Sequence, residues 1–270
     1  MVNKLSVVMS VYISDNPIYF IDAVNSLLNQ TRMPDEIIII ADGPISQELE
    51  IAISNFKNNH LIRFLKLKKN CGLALSRKKA ISSASFDIIA VMDSDDICAP
   101  DRFEKQIKLL LDGEAQVVGG WIEEFDSQPM DKGKVRNTPT NYEQIISFGK
   151  WRNPINHVTL MFTKEAYDSV GGYSSVRHSE DWDMISRMLI EGVIIKSVPE
   201  VLVHVRAGNE MIDRRRNIEQ FKGEIRLFKK MYSIGYINLF HLLGNISIRV
   251  ILRILPKFVT KFTYNSLLRK

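Results

Sequence analysis

Residues 86–96 read Phe-Asp-Ile-Ile-Ala-Val-Met-Asp-Ser-Asp-Asp. A short apolar run ends in three carboxylates. The run predicts a buried strand that delivers Asp93, Asp95 and Asp96 to one edge of a sheet. Like charges this close raise one another's pKa and cost stability. Pro100 and Asp101 announce a helix soon after, so one of the three, Asp96, is read as its cap. Capping does not account for the other two. A hard divalent cation, Mg or Mn, accepts carboxylate oxygens and keeps positions for phosphate oxygens. The carboxyl end of a strand is also where open α/β sheets bind ligands. The segment therefore predicts a metal–phosphate site on an α/β fold.

The surrounding chain repeats the pattern. Residues 5–12 form a buried strand, and Asn16-Pro17 precedes a helix over 19–29 with Phe20, Val24, Leu27 and Leu28 on one face. Four isoleucines in 36–41 make a second strand, closed by Asp42-Gly43-Pro44. A helix over 47–56, a strand over 62–67 and a helix over 73–83 follow. Continuous apolar strands alternating with helices fit a parallel sheet covered on both faces. Farther on the pattern predicts a helix over 102–111, a strand over 116–125 and a mobile polar loop over 127–140. It continues with helices over 142–148, 164–170 and 181–191, a strand over 157–162 and two short strands in 193–205 around Pro199.

The chain has 270 residues, 45% hydrophobic and 25% charged, an ordinary globular balance. Cys71 and Cys98 lack metal-ligand spacing and read as reduced thiols. No secretory leader or membrane-spanning run is visible, so a cytoplasmic location is expected. Charge is unevenly spread. From Arg214 onward the chain carries +11, against −6 for the rest. That asymmetry predicts an anionic partner for the tail.

Five motifs in order resemble the inverting family 2 glycosyltransferases of the GT-A fold. They are Ser6-Val7-Val8-Met9-Ser10-Val11-Tyr12; Ser26-Leu27-Leu28-Asn29-Gln30-Thr31 with Pro34-Asp35-Glu36; Asn70-Cys71-Gly72-Leu73-Ala74 with Arg77; Asp93-Ser94-Asp95-Asp96; and Gly171-Gly172-Tyr173 with Glu180-Asp181. More loosely, Val205-Arg206-Ala207-Gly208 with Met211-Ile212-Asp213-Arg214-Arg215, Pro256 and the basic C-terminus resemble bacterial exopolysaccharide and capsule transferases of the amylovoran-biosynthesis type. The resemblance implies a GT-A catalytic domain over 1–206, with a nucleotide-sugar half over about 1–98 and an acceptor half over about 99–206. A basic, amphipathic helical extension over 207–270 completes the chain.

Residue roles come with the resemblance. Asp42 accepts from the imide N–H of uracil or thymine, the plain alternative being a turn-former. The family often has Asp-Asp-Gly where this chain has Ala41-Asp42-Gly43. Arg77 reaches the nucleotide or diphosphate, the alternative being a solvated helix face. Tyr12 stacks near the base or belongs to the core. Asp93 touches ribose and metal-linked groups, and Asp93 and Asp95 share the cation. Asp181 is the base that takes a proton from the acceptor hydroxyl during inversion. Dipole complementarity alone would also place Glu180 and Asp181 at a helix start. Glu180 and His157 are acceptor-side contacts, His178 a weaker one, and His204 and Arg206 lie past a strand over 201–203, where a basic residue closes over the diphosphate. The chain lacks Gln-x-x-Arg-Trp, which marks processive synthases, so a single addition is expected.

In the tail, Phe240, Leu243, Ile246, Val250 and Ile254 recur at helical spacing with Arg249 and Arg253 interleaved. This predicts either a helix packed on the catalytic domain or one lying on an anionic membrane. Common RNA-module signatures are missing. The expected activity is transfer of one sugar from a UDP-sugar, or less readily a dTDP-sugar, with Mg or Mn. The expected acceptor is a hydroxyl of a lipid-linked glycan at the inner face of a bacterial membrane, in surface polysaccharide synthesis. Two rivals remain at this stage. A nucleotidyltransferase would want a Gly-rich basic loop where this chain has Ile13-Ser14-Asp15-Asn16-Pro17. An inactive scaffold would not need the intact acids.

Overall fold

The computed structural model describes residues 4–131, 133–174, 179–206 and 218–254. The motif residues 207, 208 and 211–215, His178 and Pro256 lie outside them. Four parallel strands form the first half: β1 (Leu5–Val11), β2 (Glu36–Ala41), β3 (Ile62–Lys66) and β4 (Ile88–Met92), in spatial order β3-β2-β1-β4. Their connections are α1 (Pro17–Leu28), α2 (Gln47–Ser54) and α3 (Leu73–Ser82). Asn16 starts α1 by accepting from the Ile18 and Tyr19 amides, at 2.9 and 3.4 Å. The register aligns Val11 with Ala41 and Ala41 with Lys66. The segments after β1, β2 and β4 therefore leave the sheet at one edge, as parallel strands require.

Alternation splits each apolar strand between two cores. Val7, Met9, Ile37 and Ile39 join one cluster with Phe20, Leu27 and Phe103; Val8, Ile38 and Ile40 join the other with Ile81, Trp182 and Phe228. Both faces are covered, which is why these strands carry few polar residues.

The second half is mixed. β5 (Ile97–Cys98), α4 (Arg102–Leu111), β6 (Val117–Phe125), β7 (Lys134–Arg136), α5 (Tyr142–Gly149), β8 (Met161–Thr163), α6 (Lys164–Ser169), α7 (Glu180–Ile190) and β9 (Ile195–Arg206) extend the order to β4-β8-β6-β9-β5, with β7 on β6. Several expectations change here. The segment around Pro199 is one strand: Gly120 faces Val198 and Trp121 faces Val201, so Pro199 and Glu200 bulge out of the ladder. Proline has no N–H to donate, and a bulge is where it fits. His157–Thr159 is a 3-10 turn, with β8 beginning only at Met161. The polar stretch expected to be mobile contains β7 and the buried Thr138, whose carbonyl accepts from Trp121 Nε1 at 3.0 Å.

α8 (Ile218–Ser233) and α9 (Leu239–Ile254) follow. Leu227, Phe228 and Met231 of α8 share the core with Trp182 and Met188 of α7. Lys230 Nζ reaches Asp183 Oδ1 at 2.6 Å. No helix among the described residues is long and apolar enough to cross a membrane.

Arg102 is the largest fully buried side chain. It donates to the Val91 carbonyl and to Gln106 Oε1, both at 2.9 Å. Gln106 Nε2 in turn holds the carbonyls of Val118 at 3.0 Å and Thr159 at 2.7 Å. Burial lowers the Arg102 pKa, against the pull of Cys98 and of the carboxylates Asp93 and Asp96. Arg102→Met leaves two buried acceptors without a donor and removes a cation behind the acidic turn. It is expected to cost about 2–4 kcal/mol, read by urea or thermal unfolding, with Arg102→Lys intermediate.

Candidate active site

The site is built from the loops at the carboxyl edge. β2 ends at the buried Asp42, and Gly43 turns the chain at φ 91°. A Cβ on Gly43 would meet the Asn70 nitrogen at 2.5 Å, so only glycine lets the two loops approach. Asp42 Oδ1 accepts from the Cys71 amide at 2.7 Å and Oδ2 from the Gly72 amide at 2.9 Å. The expected base-reading carboxylate thus also positions the loop before α3. Gly72 occupies the N-cap of α3 and offers no side-chain acceptor.

One turn into α3, Arg77 is buried rather than solvated and forms an ion pair with Asp93. Burial pulls its pKa down, but Asp93, Tyr173, Glu180 and Asp181 pull harder and raise it. Its Nε is buried without a hydrogen-bond partner among the described residues.

The turn after β4 holds more acid than the sequence pattern suggested. Asp15, from the loop after β1, accepts from Ser94 Oγ at 2.7 Å and from the Tyr12 amide at 3.1 Å. Burial raises its pKa, with Asp93 adding to the shift. Asp95 is pushed up to about 6 by desolvation, Asp93 and Asp15. Asp96 rises well above the carboxylate range through burial, Asp95 and Asp93. Asp96 does not cap α4, whose N-cap is Asp101; it accepts instead from the Arg206 amide at 2.9 Å. Arg206 Nε donates to the Asp95 carbonyl at 3.0 Å, and its guanidinium lies 3.9 Å from the Tyr19 ring centroid.

Opposite Arg77 stands the first turn of α7. Asp181 is half-buried, and desolvation raises its pKa against the lowering effect of the Trp182 amide, Arg77 and Arg136. Asn153 Nδ2 donates to Asp181 Oδ2 at 2.6 Å. His157 Nε2 lies 2.7 Å from the Tyr173 hydroxyl. Burial and Arg77 hold His157 well below its usual pKa, so the ring is neutral at pH 7. Tyr173 is set by Gly172, at φ 67°, where a Cβ would strike the Tyr167 ring.

Leu73, Arg77, Asp93, His157, Glu180 and Asp181 line one pocket of about 240 Å³. Five residues singled out in the sequence meet there. Tyr12, Asp42, Asp95 and Arg206 do not line it. Tyr12 is 46% exposed, which rules out its core alternative. His204 lies within β9, not past it, and its Nδ1 is 2.6 Å from Glu123 Oε2. Sequence reasoning missed Asp15, Asn153, Arg102 and Tyr173 as partners. Only Tyr173 lay in a motif, Gly171-Gly172-Tyr173.

A four-stranded parallel half joined to a mixed half, with acids and a buried arginine at the junction, is the architecture of the GT-A glycosyltransferases. The chain matches the family model Glycosyl transferase family 2 over residues 6–171 and belongs to that family. It is 31% identical over 268 residues to the Escherichia coli UDP-Gal:alpha-D-GlcNAc-diphosphoundecaprenol beta-1,3-galactosyltransferase, covering 99% of this chain and 97% of that protein. It is 31% identical over 263 residues to the amylovoran biosynthesis glycosyltransferase AmsE of Erwinia amylovora, covering 97% and 98%. Among solved structures, residues 1–349 of S. aureus TarS in complex with UDP-GlcNAc superpose with a TM-score of 0.66 at 15% identity, covering 92% of this chain and 71% of that one.

The electrostatics give a stability prediction. A carboxyl whose folded pKa is raised contributes stability that is full below its unfolded value, about 3.9, and is lost as pH rises through the folded value. For Asp95 that folded value is about 6. In EDTA at pH 7.5, Asp95→Asn is expected to be more stable than wild type by ~0.5–1 kcal/mol, modest because solvent reaches the side chain. The gain should vanish below about pH 4 in thermal melts across pH.

Proposed function

We propose that this family 2 glycosyltransferase is an inverting, metal-dependent enzyme. It moves one sugar from a UDP-sugar, or less readily a dTDP-sugar, to a hydroxyl of a lipid-linked glycan in bacterial surface polysaccharide synthesis. The observation that carries the reading is the pocket itself, which Arg77 and Asp93 line together with Glu180 and Asp181. The named donor and lipid-linked acceptor of the Escherichia coli relative support the substrate class.

The donor half offers fixed positive potential to a diphosphate. The uncapped start of α3 favours phosphate oxygens, and the Arg77 guanidinium lies one turn further. Each Asp42 oxygen keeps a second lone pair for the imide N–H of the base, while Tyr12 presents an exposed ring beside it. On this reading Arg206, which now holds the Asp95 carbonyl and Asp22 outside the pocket, would turn to close over the phosphates.

The acidic turn fits a divalent cation. Asp95 is destabilised by Asp93 and Asp15, and a cation relieves that repulsion. No ready cluster of three ligating side chains exists among the described residues. Asp93 and Asp95 would be the protein's ligands, a share that suits Mg or Mn completed by phosphate and water oxygens. A bound ion there supplies neutralisation of the departing nucleoside diphosphate.

Asp181 takes the acceptor hydroxyl proton. Burial raises its basicity, and Asn153 fixes its orientation. Glu180 contacts the acceptor. Neutral His157, bonded to Tyr173, shapes the acceptor wall and is not the base.

Titration of UDP- and dTDP-sugars with and without Mn tests the donor half. One UDP-sugar should bind in a metal-dependent way and lose binding in Asp95→Ala; absence of any nucleotide binding at millimolar ligand would sink the reading. For Asp181→Asn, kcat should fall about 10²–10⁴-fold while donor affinity stays within about threefold. The wild-type kcat/KM profile should rise with pH through an apparent pKa above the ordinary carboxylate range. That limb should persist in His157→Asn.

A further inference from the structure

α9 is built inside out. Its inward side is polar: Asn245 Nδ2 donates to the Lys150 carbonyl at 2.9 Å, and Arg253 Nη2 pairs with Glu224 at 3.0 Å. Arg249 packs over Phe228, its guanidinium 5.2 Å from the ring centroid, and lies 3.9 Å from Glu224. Leu242 and Ile246 are its apolar contacts with the core. Its exposed positions are Leu239, Phe240, Leu243, Ser247, Ile248, Val250 and Ile251, with no charge among them. Phe240 is 72% and Leu243 57% exposed. The sequence places Phe240, Leu243, Ile246, Val250 and Ile254 at one helical spacing with Arg249 and Arg253 between them; the structure packs Ile246 against the core and leaves Phe240, Leu243 and Val250 exposed. A helix in water normally shows its charges and buries its stripe.

We propose that the outward face of α9 inserts into the interface of an anionic lipid bilayer. Charge complementarity favours that occupant. Residues 255–270 contain Lys257, Lys261, Arg269 and Lys270 and no acid, interleaved with Phe258, Phe262 and Tyr264. Apolar and aromatic insertion beside lysines and arginines is the chemistry of an interfacial anchor. A second copy seated symmetrically on α9 would bring two such like-charged tails to one interface. The position also suits a lipid-borne acceptor. α9 rests on Trp151, whose ring is 5.8 Å from Phe240 between centroids, and a Cβ on Gly244 would press on that ring at 2.8 Å. Two residues on, Asn153 holds Asp181. One short loop thus joins the lipid face to the acceptor side of the pocket.

The inference deepens the lipid-acceptor reading, and its test uses neither donor nor acceptor, so either can fail alone. The full chain is sedimented with phosphatidylcholine and phosphatidylcholine–phosphatidylglycerol vesicles at low and at about 0.5 M salt, where surface charge is screened. Binding to anionic vesicles should survive salt in part. The triple variant Phe240→Ser, Leu243→Ser, Ile251→Ser should lose about tenfold or more in partitioning. In the unaltered chain, amide exchange over 239–251 should slow with vesicles, a readout independent of how the variant folds. Three results would overturn the proposal. One is no binding and no protection. Another is binding that salt or Lys257→Gln with Lys261→Gln abolishes while the triple variant keeps it, assigning contact to the tail alone. The third is a dimer in sedimentation equilibrium that the triple variant dissolves, assigning the face to a second copy.

Discussion

The mutual repulsion of Asp15, Asp93, Asp95 and Asp96 at the end of β4 is the constraint around which the rest of the structure is arranged. Three arginines from three elements surround it. Arg102 of α4 lies behind the turn, fully buried. Arg77 of α3 stands in front, paired with Asp93. Arg206, the last residue of β9, closes the side, its backbone on Asp96 and its side chain on the Asp95 carbonyl. None cancels the charge fully, since Asp95 and Asp96 keep raised pKa values. The turn is therefore held by its neighbours as a crowded, desolvated cluster of acids, the kind of perturbed group that marks functional sites. It also joins the two halves of the fold, because β9 belongs to the mixed half and β4 to the parallel one.

A second network does the same for the acceptor side. Asp183, two residues after Asp181, is fully buried and takes Ser174 Oγ at 2.7 Å, Arg187 Nη2 at 2.9 Å and Lys230 Nζ at 2.6 Å. Arg187 also donates to the carbonyls of Val170 and Gly172. The start of α7, the Gly171-Gly172-Tyr173 loop and α8 are thus tied by one carboxylate. Breaking such a buried set by removing one partner is costly. α8 accordingly buttresses the start of α7 through Lys230.

Legibility in the sequence followed the physics of each half. The parallel strands were readable because a strand buried on both faces must be apolar throughout, and Asp42 and Asp93 follow such runs. The mixed half was not. Pro199 looks the same in sequence whether it ends a strand or sits in a bulge, and only Trp121 facing Val201 distinguishes them. Arg102 lies in a helix with Glu104, Lys105 and Lys108 for neighbours, and composition does not tell the buried cation from the solvated ones. Asp15 is a lone turn acid whose meaning comes from Ser94, 79 residues away. In α9 the periodicity was real but its phase was ambiguous. Apolar residues occupy more than one face, and the inward placement of Asn245, Arg249 and Arg253 was decided by Lys150 and Glu224.

The Arg77–Asp93 pair gives the site a further property. A nucleoside diphosphate with its divalent counter-ion is itself an anion–cation pair. On the proposed reading, binding exchanges partners: Arg77 passes from carboxylate to phosphate, and Asp93 passes from guanidinium to metal. The number of ion pairs would be conserved, so the buried Arg77 is not left uncompensated, the outcome that would cost most. Asp95, by contrast, gains no new partner in that exchange unless an ion binds: desolvation, Asp93 and Asp15 raise its pKa, and Arg206 only partly offsets them. Donor without metal would then separate Arg77 from Asp93 while leaving the four acids of the turn to repel. On that reading, coupling of metal and nucleotide affinity would follow from the electrostatics of the turn, with no conformational change needed to carry it.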